Sequence, residues 1–172
     1  MGEEKMTLDS IDPKKLNSFL IKNWMTHDAL WYAEVAGKLG MPEASPMNLR
    51  VCRKLGQIEF KRFMKLTEAA VPVDMQAYQK LFEIGKQVFV PEFMSLDIDY
   101  PAENVQRFCV RECFAHRGME KTGLLKDYEC GIFERIVGWL DAMNLTYTLT
   151  PDLSRCLKFR GRECEVTIAF QF

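Results

Sequence analysis

A chain of 172 residues is long enough to bury a core as one domain, and its 48% apolar and 27% charged content is ordinary globular composition. Its 23 basic and 24 acidic side chains leave a formal net charge of −1, which speaks against a nucleic-acid footprint. No apolar run approaches the ~18 residues of a membrane span. The opening Met1-Gly-Glu-Glu-Lys-Met lacks the basic-then-apolar order of a secretory leader, and Met6 stands where a myristoylation signal after Gly2 wants Ser or Thr. The expectation is a cytoplasmic protein that meets neither nucleic acid nor membrane.

Asp12-Pro13 reads as an N-cap with Pro at the first helical position, opening a helix to about Gly40 with Leu16, Phe19, Leu20, Trp24, Trp31 and Val35 near helical spacing. Ser45-Pro46 repeats that signal, predicting a second helix through Leu49, Leu55, Ile58, Phe63 and Leu66 to about Ala70. Asp74 caps a third, carrying Tyr78, Leu81, Phe82, Ile84 and Val88 before Pro91. The period then changes. Met94, Leu96, Ile98 and Tyr100 alternate with polar residues as a strand, Tyr100-Pro-Ala-Glu-Asn forms a turn, and Val105 to Glu112 suits a second strand.

Residues 113–127 read as a short helix and a loop with Gly118 and Gly123. A helix begins near Cys130, with Ile132, Phe133, Ile136, Val137, Leu140 and Met143 inward. Leu145, Tyr147 and Leu149 mark a third strand, and Val166, Ile168, Phe170 and Phe172 point one way along a last strand that ties in the terminus. The fold class is α+β: a single domain over 1–172, with N-terminal helices (about 12–92) packed on one face of an antiparallel sheet (about 93–172).

Between the last two strands, residues 154–164 read as a β-hairpin closed by Phe159-Arg160-Gly161, with Gly161 left-handed. Lys158 would then face Arg162, Arg155 would face Glu165, and Cys156 and Cys164 would project side by side. Cys130, at a helix N-terminus, favours a thiolate. Thiolates suit tetrahedral zinc, with Arg155, Lys158 and Arg162 offsetting their charge. The bland alternative makes Cys156 and Cys164 small buried hydrophobes sharing strand parity with Val166, Ile168 and Phe170. Cys52 and Cys109 read as packing residues. A reducing compartment disfavours a Cys156–Cys164 disulfide.

This C-terminal third resembles the 4-vinyl-reductase-type small-molecule-binding domains, whose pattern is one cysteine followed by a pair with seven residues between them, one a glycine. That resemblance implies zinc on Cys130, Cys156 and Cys164, and by analogy a homodimer. Those domains supply a carboxylate three residues before the pair, where this chain has Leu153. Asp152, Cys113 and His116 are the substitutes, and Cys113 is favoured because Glu112-Cys113 ends a strand that would lie beside the hairpin.

On the first helix, His27, Asp28, Trp31 and Glu34 come close together with Trp24 one turn back, a set suited to a small polar or heteroaromatic ligand. His27 with a carboxylate could also move protons, while the plain reading leaves the tryptophans in the core and the acids solvated. His116-Arg117-Gly118 suits a pocket mouth or a solvated loop. The run Trp24-Met-Thr-His-Asp-Ala-Leu-Trp-Tyr-Ala-Glu-Val, with Gly40, Ala44 and Asn48, is similar to a bacterial cytosolic family. That family is related to the L-2-amino-thiazoline-4-carboxylic acid hydrolase-like proteins, which share cysteines matching Cys113, Cys130 and Cys164. The expectation is a small-molecule-binding domain with a structural zinc site, the metal held by Cys113, Cys130, Cys156 and Cys164 and the ligand by Trp24, His27, Asp28, Trp31, Glu34 and His116. The alternative is hydrolysis of a small cyclic amidine or thiazoline acid, with Cys113 as nucleophile or ligand and His27 or His116 handling protons.

Overall fold

The computed structural model describes residues 7–172; the Met1–Met6 stretch, with its leader and acylation readings, lies outside them. A 3-10 turn at Leu8–Ser10 precedes α1 (Pro13–Leu39), which Asp12 caps by accepting from the Lys14 N–H at 2.7 Å. Gly40, at φ 82, turns the chain at once into α2 (Met41–Leu66). The second helix therefore starts five residues earlier than Ser45-Pro46 suggests. Pro42 supplies the favourable early proline, Pro46 lies inside the helix, and Ser45 is buried against the Tyr32 hydroxyl at 3.0 Å. Asp74 caps α3 (Met75–Phe89) through the Ala77 N–H at 2.8 Å, as the spacing predicts.

Strands β1 (Ser95–Ala102) and β2 (Val105–Glu112) form a hairpin whose tip is Glu103-Asn104, the last two residues of the turn read over Tyr100–Asn104, while Tyr100–Ala102 belong to β1. Asn104 takes the left-handed backbone that a two-residue turn needs. Then come α4 (Phe114–Lys121), a 3-10 turn at Leu125–Asp127, α5 (Gly131–Ala142), β3 (Thr146–Thr150) and β4 (Glu165–Gln171). The sheet is antiparallel throughout in the order β1-β2-β4-β3. Phe108, Val110, Val166, Ile168 and Phe170 fill its inner face against Phe60, Phe63, Tyr78, Leu81, Phe82, Phe133 and Leu140 of the helices. Asp97, Asp99, Arg107, Arg111 and Glu165 occupy the other face in cross-strand ion pairs. The α+β class, with helices on one sheet face, holds. Among the described residues no helix is long and apolar enough to cross a membrane.

Three expectations fail. Residues 154–164 are not a β-hairpin: Arg160 and Arg162 return their N–H groups to Leu157, and Gly161 returns its own to Lys158, so the segment coils into tight turns. Gly161 does adopt positive φ. The Arg155–Glu165 and Lys158–Arg162 pairings disappear, because β4 uses its edges on β2 and β3 instead. Cys109 faces the charged side of the sheet beside Glu165, since its neighbours Phe108 and Val110 take the core side. Phe172 lies beyond β4 and is largely exposed, its ring stacked on Phe170.

Helices α2 and α5 cross at Gly56 and Gly138. A Cβ on Gly56 would overlap the Arg135 carbonyl, and one on Gly138 would overlap the Arg53 carbonyl. Around this crossing Arg53 donates to Asp141 at 2.7 Å and to Glu134 at 3.1 Å, while Glu59 accepts from Arg135 and from the Trp139 indole.

Candidate functional site

Four thiols meet at one corner of the sheet. Cys113 follows the last residue of β2 and stands at the N-cap of α4; Cys130 holds the same place on α5. Cys164 immediately precedes β4, and its carbonyl accepts from the Val110 N–H at 2.9 Å, which sets it beside the end of β2. The coiled segment brings in Cys156, whose N–H donates to Tyr128 at 3.1 Å, while the Cys130 N–H donates to Leu153 at 3.4 Å. Lys158 closes the corner by donating to the Arg111 carbonyl at 2.7 Å.

Every pair among Cys113, Cys130, Cys156 and Cys164 is near enough for the charge on one sulfur to oppose ionisation of another. Burial pushes the Cys113 thiol up, partly offset by the His116 and Ala115 N–H groups at the start of α4. Burial raises Cys130 further still, against the Phe133 N–H in the first turn of α5. Cys164 is pushed up to about 12 by burial and by its neighbouring sulfurs, with Lys158 opposing. All six cysteines are free thiols. Among the described residues no three His, Cys, Asp or Glu side chains form a group ready to hold a metal ion.

Four sulfurs arrive from four segments, and burial and mutual repulsion hold the Cys113, Cys130 and Cys164 thiols protonated, two costs a divalent cation would remove. Two helix N-termini already favour negative charge there. Asp152 is not part of the set: it is exposed, accepts from Ser154 at 2.5 Å and faces Arg160 at 3.7 Å.

The cavity on the other side of α4 and α5 has a volume of about 80 Å³. Trp24, Asp28 and Tyr32 of α1, Asn48 and Cys52 of α2, and Tyr128 and Arg135 are among its lining. The Arg135 guanidinium lies 4.8 Å over the Trp24 ring and is clamped by Glu59, so it is fixed before any ligand arrives. Asp28 is raised by burial, with His27 and Arg135 pulling the other way. Burial pushes the Cys52 thiol up to about 12. Ala29, Phe114 and Met119 also line a groove of about 530 Å³, which carries Lys22, Lys121 and Arg117, the last paired with Glu112 at 3.5 Å. Cavity and groove therefore share a wall.

The structure splits the ligand set expected on α1. Ile21, Met25, Tyr32 and Ala36 turn inward, flanked by Trp24 and Asp28 in the cavity, so His27, Trp31 and Glu34 are carried to the opposite, solvent side. His116 is half-buried in the first turn of α4 and lines neither pocket nor groove, although its neighbours Arg117 and Gly118 line the groove. Arg135, Asn48 and Cys52 escaped sequence reasoning. The usable signal was Glu134-Arg135 inside the apolar run Ile132 to Leu140, a charge that must find a partner if that helix is buried.

No functionally curated protein matches the chain. Residues 14–157, which include Cys113, Cys130 and Cys156 and both cavities, match a family of unknown function, DUF6125, and the chain belongs to that family.

Proposed function

We propose that the protein binds a small organic molecule and that its four-thiol corner takes a structural zinc ion. The observation that carries this reading is the pairwise proximity of Cys113, Cys130, Cys156 and Cys164 from four separate segments. Those segments also build the pocket wall: Cys113 opens α4, which supplies Phe114 and Met119, and Cys130 opens α5, which supplies Gly131, Ile132 and Arg135. Zinc there would supply a fixed cross-link, with Cys113 rather than Asp152 completing the set.

The ligand chemistry follows from the lining. Asp28 at the cavity wall suits a cationic or hydrogen-bond-donating head between the Trp24, Tyr32 and Tyr128 rings, and Lys22, Arg117 and Lys121 suit an anionic portion in the groove. A cysteine-nucleophile hydrolase needs one thiol of depressed pKa, and burial drives Cys52, Cys113, Cys130 and Cys164 the other way. Binding is therefore proposed ahead of catalysis.

Cobalt(II) added to metal-free protein tests the thiol site, because thiolate ligation produces an intense ligand-to-metal charge-transfer band. The reading expects that band at one equivalent, weakened in Cys130→Ser and in Cys156→Ser. Absence of the band, with all six thiols titrating freely, would remove the metal site from the account.

A further inference from the structure

The outer face of α1 carries Phe19, Leu20, Leu30 and Trp31 at 61%, 55%, 64% and 62% exposure. At 100° per residue these four fall within one arc of about 120°, opposite the inward arc of Met25 and Tyr32. Asn23, His27 and Glu34 lie along the middle of the same arc. A soluble helix normally presents charge on that side, so this stripe needs a cover.

The stripe is self-complementary. Its members sit symmetrically about the level of Met25, so a second copy of α1 laid antiparallel on the first matches it apolar to apolar. Phe19 then meets Leu30 of the second copy, Leu20 meets Trp31, and Asn23 meets His27 near the dyad, where an amide can hydrogen-bond an imidazole. At the two ends Asp12 comes to the level of Lys38, placing opposite charges together. This is the isologous arrangement a two-fold axis demands.

The area is sufficient. Four large side chains more than half exposed supply roughly 500 Å² of apolar surface, at about 200 Å² for a whole aromatic side chain and somewhat less for leucine. Asn23, His27 and Glu34, between the two apolar edges, add polar contact area, which brings each partner towards the ~800 Å² of a standard interface. We infer that the chain is a two-fold homodimer formed by antiparallel packing of α1 on α1 through Phe19, Leu20, Leu30 and Trp31. The inference is independent of the zinc reading, and it shares Leu30 with the wall of the Lys22–Lys121 groove, which a second copy would narrow.

Sedimentation velocity over a concentration series tests it with the full chain. The wild type is expected to sediment as a dimer at micromolar concentration. Trp31→Glu and Leu20→Glu, each placing two charges in the interface, are expected to sediment as monomers with an unchanged circular dichroism spectrum. Leu66→Glu, which alters an 82% exposed leucine at the far end of α2, is expected to leave the dimer intact. A wild type that stays monomeric, a dimer that survives both α1 substitutions, or a dimer equally lost in Leu66→Glu would each overturn the inference.

Discussion

Replacing Gly56 by alanine tests how the site is held, because the α2–α5 crossing leaves no room for a methyl group. The new Cβ would overlap the Arg135 carbonyl and stand 3.1 Å from the Gly138 Cα, backbone atoms that cannot step aside. The helices must part by on the order of 1 Å to recover ordinary contact, which forfeits a quarter to a half of the dispersion energy of each contact stretched. The contacts at stake include the Phe60–Trp139 stack at 5.8 Å, the Arg53–Asp141 bond at 2.7 Å and the Trp139 indole on Glu59 at 2.5 Å. Overpacking against backbone belongs at the upper end of its usual range, about 3 kcal/mol. For a domain of this size that is a Tm lower by roughly 6–12 °C. Gly37, in the last turn of α1 with nothing within 4 Å of its would-be Cβ, is the internal control. Gly37→Ala should gain about 0.5–1 kcal/mol from helix propensity alone. Calorimetry or urea titration reads both. A Gly56→Ala variant within 0.5 kcal/mol of wild type would refute the close-approach argument.

Asp28→Asn should raise stability at pH 7, by under about 1 kcal/mol after solvent screening, because burial pushes the Asp28 carboxyl above its usual pKa. The sign follows from linkage: the folded state prefers the protonated acid, so stability is lost as pH rises through its folded pKa, and the gain should vanish when melts are repeated below the usual carboxylate range. Glu59→Ala should cost about 3–5 kcal/mol in denaturant titrations, since it strands the nearly buried Arg135 and leaves the Trp139 indole without its acceptor. In the groove, Lys22→Glu with Lys121→Glu should weaken binding of an amphipathic aromatic sulfonate dye roughly fivefold, two partly exposed charges contributing about 0.5 kcal/mol each. Unchanged dye affinity would leave the groove without an electrostatic role.

The elements were legible where one local signal decided them. Asp12 and Asp74 capped their helices, the alternation over Leu96–Tyr100 and Val166–Phe170 marked strands with one buried face, and Gly161 took its left-handed turn. Tertiary contacts decided the rest. Ser45 resembles a cap but serves Tyr32, and the 154–164 segment has hairpin chemistry at its tip, yet β3 and β2 claim both edges of β4. The cysteines could be grouped from sequence; that Cys113 comes up against Cys156 depended on how the coiled segment lies along Tyr128 and Cys130. On α1 helical periodicity collected His27, Trp31 and Glu34 correctly with one another, but only packing reveals that their arc faces outward while Trp24 and Asp28 face Arg135.

The central claim is tested most directly by the zinc content of untagged protein purified without chelator, paired with a count of reactive thiols before and after denaturation. The account predicts one zinc per chain and four thiols protected until the fold is lost, with Cys109 among those that react at once. Metal-free protein that keeps its full melting temperature while Cys113, Cys130, Cys156 and Cys164 react one by one would contradict it.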